Sequence, residues 1–217
     1  MAASVKLWAM PILHPSAIIQ GQRHKEPAQK RYLTRLKEWV DAGVTPDVIN
    51  VNEPPPGSSL YPSPEDMDLF YEEAASPEWG AVSHDLENAG PHIICDGMTL
   101  LNTETGAVGR SVCLRFRVQG GDPYWATQKE LHHVVYGLAR HLADAEVAKV
   151  FHNGVTHDVP ILEEIGFDVA GRLIDTMIMM HTAYSEMPKG LQFCATLWNG
   201  TPVWKTLVEE GEDEEGK

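Results

Sequence analysis

The stretch Val147-Ala148-Lys149-Val150-Phe151-His152-Asn153-Gly154-Val155-Thr156-His157-Asp158-Val159-Pro160-Ile161-Leu162 decides the fold class. Val147–His152 is an apolar run of strand length, Asn153 and Gly154 begin a short turn, and Asp158 opens a helix that runs to Ile165. Upstream, Thr127-Gln128-Lys129-Glu130 is a capping box, because hydroxyl and carboxylate each satisfy a free amide at a helix start. Leu131, Val134, Val135, Leu138 and Leu142 follow at helical spacing. The strand is therefore reached through a helix. Three strands precede that helix: Ala81–His84, Ile93–Leu100 and Ser111–Val118. In the third, Val112, Leu114, Phe116 and Val118 alternate with Ser111, Cys113, Arg115 and Arg117. The polar, glycine-containing connection Asn102–Gly109 makes these strands an antiparallel meander. Two more helices are expected at Asp175–Tyr184 and Leu191–Trp198. The order βββαβα predicts an α/β fold with a mixed sheet, an antiparallel meander plus parallel strands, flanked by helices.

Ahead of the meander, the run from Glu53 to Pro64 is dense in Pro, Gly and Ser and reads as a linker, with a short helix over Pro64–Ala75. The chain of 217 residues divides into residues 1–40, a linker and short helix over 41–75, the α/β domain over 76–208, and an acidic tail over 209–217. Its net charge of -14 argues against a generic polyanion binder. Resolved by position, residues 1–40 carry +5, the tail -5 and the body -14. The three cysteines stand singly, without a CxxC pair, so neither a disulfide framework nor a zinc knuckle is expected and a reducing cytoplasm fits. No apolar run has the length of a membrane span.

The chemistry is concentrated in His84-Asp85-Leu86-Glu87. Residues i and i+2 of a strand face one side, so Asp85 and Glu87 can present two carboxylates to one site. Two acids so placed repel unless a cation lies between them; the plainer reading is a solvated strand end. Asp158 adds a third carboxylate on the strand–helix turn, as a helix cap or as a ligand. Asn153 and Asn88 read either as turn residues or as substrate contacts. Asp175 reads as a helix cap.

Together, Asp85 and Glu87, then Asn153 with Asp158, then Asp175-Thr176-Met177, His181 and Met187–Phe193, resemble the ordered motifs of the DEDD class of 3′-5′ exonucleases, particularly the proofreading domains of family-A DNA polymerases, phage versions included. The resemblance runs from Trp79 to Lys205. It implies a ribonuclease-H-like fold and two-metal phosphodiester hydrolysis with two Mg²⁺ or Mn²⁺ ions. Asp85 would bridge both ions, Glu87 would bind the nucleophile-side ion, and Asp158 would hold the second through water. Asn153 and Asn88 would contact the substrate, single-stranded 3′ ends of DNA. A DNA polymerase partner or a downstream polypeptide, a role in replication or repair, and a bacterial or phage-infected cytoplasm follow as expectations, with no membrane involved. The family's last motif, a Tyr or His followed by an Asp, is not found in Thr206–Lys217; His181-Thr182-Ala183-Tyr184-Ser185-Glu186 mimics it out of order. A catalytically incomplete nucleic-acid-binding module is the alternative.

At the other end, Pro11-Ile12-Leu13-His14-Pro15-Ser16-Ala17 resembles the HPSA motif of uracil-DNA glycosylases, and the basic Lys30–Trp39 stretch resembles the helix that ends such domains. The resemblance implies a C-terminal remnant in which His14 corresponds to the uracil-contacting His. An ordinary turn is the competing reading of Leu13–Ala17, and a uracil-DNA glycosylase-related repair protein is a further alternative function.

Overall fold

The computed structural model describes residues 57–90, 92–118, 122–185 and 187–199, together with Lys30, Leu33, Thr34, Lys37, Glu38 and Asp41, which are helical. His14, the remainder of the glycosylase-like segment and the acidic tail lie outside the described residues.

One compact unit runs from Asn52 to Met179. It contains β1 (Ser58–Ser59), α1 (Pro64–Ala74), β2 (Ala81–Ala89), β3 (His92–Leu101), β4 (Val108–Arg115), α2 (Gln128–Ala143), β5 (Ala148–Phe151), α3 (Asp158–Glu164) and β6 (Leu173–Asp175), and α4 (Thr176–Ala183) begins in it. The sheet order is β1-β4-β3-β2-β5-β6. β2 pairs antiparallel with β3 and β3 with β4, while β2–β5, β5–β6 and β1–β4 are parallel. This is the mixed sheet expected from the sequence, in the ribonuclease-H-like order. The described residues beyond Met179 belong to a second unit. There α5 (Leu191–Asn199) contributes Leu197 to a small cluster with Met180 and Met187.

Local chemistry accounts for the element boundaries. Thr127 and Glu130 form the reciprocal cap of α2, with Glu130 N–H donating to Thr127 Oγ1 (3.1 Å) and Thr127 N–H to Glu130 Oε2 (3.0 Å). Ser63 and Asp66 do the same for α1. Val134, Leu138 and Leu142 of α2 and Met67, Phe70 and Ala74 of α1 are buried in one cluster with Val82, Leu86, Met98, Leu100, Val112 and Leu114 of the sheet. Each large apolar side chain so buried contributes roughly 1.5–3 kcal/mol. The bidentate Arg110–Glu73 pair (2.8 and 3.1 Å) ties β4 to α1.

Two expectations change. The short helix expected over Pro64–Ala75 is present as α1, but it packs in the sheet unit together with the segment read as linker: β1 is an edge strand on β4, and Phe70 and Met67 of α1 are fully buried. Its proline density limits β1 to two residues. The strand expected over Ala81–His84 continues to Ala89, because β3 supplies a partner for each residue, Asp85 against Gly97 and Glu87 against Cys95. Asp85 and Glu87 thus lie inside a strand instead of at its end.

Candidate functional site

Pleating sorts β2 into two faces. Val82, His84 and Leu86 are buried, Val82 and Leu86 within the main apolar cluster, whereas Asp85 and Glu87 are exposed. Register carries the second face across the meander. Asp85 lies beside Gly97 and Cys113, Glu87 beside Cys95 and Arg115, and Ser83 beside Thr99 and Ser111. The Thr99 Oγ1–Ser111 Oγ hydrogen bond (3.0 Å) confirms that these residues share a side. The Cys95 thiol bonds to Cys113 and pulls the Cys113 thiol below its ordinary value; burial opposes this and Arg115 reinforces it.

Asp158 is the first residue of α3 and only 5% exposed. The cap position belongs to His157, whose side chain makes no capping bond, so Asp158 does not serve as the cap. Burial pushes its carboxyl up to about 6; Asp85 and Asp96 add to the rise, while His157 and His84 oppose it. Asp85 and Asp158 therefore repel one another through space. Oxygen donors of this kind fit a hard divalent cation. Among the described residues no three His, Cys, Asp or Glu side chains are grouped so as to hold a metal ion. Asp85 and Asp158 are the acids that interact here, and Glu87 lies on the face that Asp85 occupies.

The turn between β5 and α3 is fixed by its neighbours. Asn153 adopts a left-handed backbone (φ 73°), its N–H donates to Asp175 Oδ1 (3.0 Å), and its side-chain oxygen accepts from Thr156 Oγ1 (2.6 Å). Gly154 passes so close to Phe151 that an added Cβ would lie 2.2 Å from the Phe151 Cβ. Asp175 caps α4 through the amides of Met177 (2.9 Å) and Ile178 (3.2 Å), as expected, and also accepts from Val155 N–H (3.2 Å). Burial works to raise its carboxyl, but these four amide donors outweigh it and hold the group below the usual carboxylate range. Asn88 has a turn role, its Nδ2 donating to Gly90 O (2.9 Å) in the β2–β3 hairpin.

Behind Asp85, on the buried face, lies a polar chain that sequence reasoning missed. Asp96 Oδ2 accepts from His84 Nδ1 (2.9 Å), and His84 Nε2 meets His141 Nε2 (3.2 Å). Burial, with His84 and Lys149 acting the same way, lowers His141 to about 2, so its ring is neutral. The available signal was Asp96, an acid inside an apolar strand, which needs a buried partner.

No family model matches the sequence, and no curated protein matches it. Among solved structures the chain is similar to Escherichia coli RNase D, an exoribonuclease involved in structured RNA processing, at 16% identity and a TM-score of 0.42, over 66% of this chain and 34% of that one. It is similar to Brucella melitensis NrnC bound to pGG at 17% identity and a TM-score of 0.41, over 58% and 55%. It is similar also to the EXD2 exonuclease domain soaked in Mg and GMP at 16% identity and a TM-score of 0.38, over 73% and 83%. The chain thus spans between a third and a little over half of the RNase D and NrnC chains.

Proposed function

We propose that this chain is a metal-dependent 3′-5′ exonuclease domain that removes nucleotides from nucleic-acid ends. The observation that carries the reading is the pair Asp85 and Glu87 on one exposed sheet face, with a buried Asp158 whose carboxyl responds to Asp85. Asp85, Glu87 and Asp158 would hold Mg²⁺ or Mn²⁺, two ions in the arrangement that the sequence resemblance implies. When bound, such ions activate water and stabilise the leaving oxygen. The chain's own part is to fix these acids. Pairing with β3 holds Asp85 opposite Gly97 and Glu87 opposite Cys95, and the Asp175-braced turn sets Asp158. Thr156 fixes the Asn153 amide by occupying its oxygen, which leaves the NH₂ to donate to a terminal nucleotide. Asn88 is a second proposed contact. DNA as substrate, a replication or repair setting, a polymerase partner, a cytoplasmic location and the glycosylase remnant at His14 rest on the sequence resemblance and composition.

The test is digestion of 3′ single-stranded DNA and RNA of one sequence with Mg²⁺ or Mn²⁺. Stepwise shortening from the 3′ end is expected. Asp85→Ala and Glu87→Ala should each lower the rate by on the order of 10²-fold or more, several kcal/mol of transition-state stabilisation. Cleavage that survives both substitutions overturns the site.

A further inference from the structure

The exposed face of the meander ends in a stacked aromatic and cation. The guanidinium carbon of Arg115 sits 4.3 Å from the centroid of the Tyr61 ring, which is itself 69% exposed. Register explains why they meet. β1 runs parallel to β4, with Ser58 beside Ser111 and Ser59 beside Val112, so the chain leaving β1 continues alongside Leu114 and Arg115. The segment is braced from below: the Tyr124 hydroxyl donates to Pro62 O (3.3 Å), and the Tyr124 ring packs edge-on against the buried Trp125 (4.9 Å). The Nε–H of Arg115 is buried with no hydrogen-bond partner among the described residues. Tyr61 is thus a large ring, open to solvent, with a cation at its face.

Position gives the pair a meaning. Arg115 is aligned with Cys95 and, through it, with Glu87. Two strand spacings separate Arg115 from Glu87, about 10 Å along the same face. A nucleic-acid strand whose end lay at the carboxylates would pass over Arg115 about one or two nucleotides away. An exposed ring stacks any base, and a guanidinium beside it meets the phosphate. In a chain with a net charge of -14, such a local cation is what the strand requires.

We propose that Tyr61 and Arg115 form a nucleotide subsite for single-stranded nucleic acid, with base stacking on Tyr61 and phosphate on Arg115. The proposal rests on the exonuclease reading for its direction along the sheet. Affinity tests the subsite and cleavage tests that reading, so their failures are distinguishable. Using the full chain and a labelled single-stranded decanucleotide, with Ca²⁺ in place of Mg²⁺, Tyr61→Leu is expected to weaken binding about tenfold. Tyr61→Phe, which keeps the ring, is expected to bind several-fold tighter than Tyr61→Leu. Arg115→Gln is expected to flatten the dependence of log affinity on log salt by about one. Thermal melts of each variant identify any that fails to fold, and Tyr61→Leu, altering an exposed side chain, carries the decision. Equal affinity for the parent and a folded Tyr61→Leu overturns the subsite, as does a parent chain that binds no oligonucleotide. Binding that depends on Tyr61 without any 3′ cleavage sensitive to Asp85→Ala keeps the subsite and overturns the exonuclease reading.

Discussion

Asp158 is the residue on which the electrostatics of the site turn. A carboxyl that caps a helix is pulled down by amide donors, as Asp175 is; Asp158 is pushed the other way, chiefly by burial and next by Asp85. Carboxyl-carbon NMR in metal-free buffer should show Asp158 titrating near pH 6. Asp85→Asn removes one source of repulsion and should move the titration lower, as should added Mg²⁺. An Asp158 titration unmoved by both would show that the two acids do not share a site. The residue scale also shows what sequence can express. Asp85 and Glu87 were legible because a period of two is a property of any strand. That Asp158 is buried and not a cap was not legible, because both uses require an acid at a strand–helix turn.

Among elements, the β5–α3 turn has the most concentrated dependence on single residues. Four backbone amides, those of Asn153, Val155, Met177 and Ile178, converge on the Asp175 carboxylate, so this one side chain joins β6, the turn and the start of α4. Asp175→Ala should destabilise the fold by roughly 2–4 kcal/mol, since hydrogen bonds to a charged group are worth more than neutral ones and the amides lose their acceptor. A urea melt would measure it, and a loss under about 0.5 kcal/mol would refute the account. Gly154→Ala should cost roughly 1–3 kcal/mol by forcing a methyl against Phe151. The sequence identified Asp175 as a cap and the Asn153–Gly154 turn, but not the bond between them, since residues 22 apart carry no local signature. Lys149 shows the same limit from the other side. It sits fully buried in a strand read as apolar, with its Nζ donating to the carbonyls of Asp144 and Ala170. β1 and the place of α1 in the core were lost for a different reason: proline-rich chain is read as linker even where two residues suffice to close a sheet edge.

At the scale of the molecule, two buried groups impose opposite dependences of stability on pH. His141 is neutral in the folded protein, with its value lowered to about 2 by burial, His84 and Lys149, whereas in the unfolded chain it takes a proton below about 6.5. The unfolded state then binds more protons, so its contribution to stability is present above about 6.5 and is lost as pH falls below it. Asp158 has the reverse sign. Its folded value near 6 exceeds the ordinary 3.8, so between these the folded state binds more protons and stability falls as pH rises. Each group alone gives a slope of up to about 1.4 kcal/mol per pH unit. From these two groups, stability of the metal-free chain should change little between pH 6 and 4 and drop below 4. In Asp158→Asn only the His141 slope remains, so the variant should exceed the parent at pH 7.5 and lose that margin steadily as pH falls from about 6 to about 4. Denaturation midpoints across this range, with EDTA present, decide the matter; parallel profiles for parent and variant would mean that Asp158 titrates alike folded and unfolded. Added Mg²⁺ should narrow the difference at pH 7.5 by stabilising the parent, because a bound cation removes the repulsion that the asparagine removes by substitution.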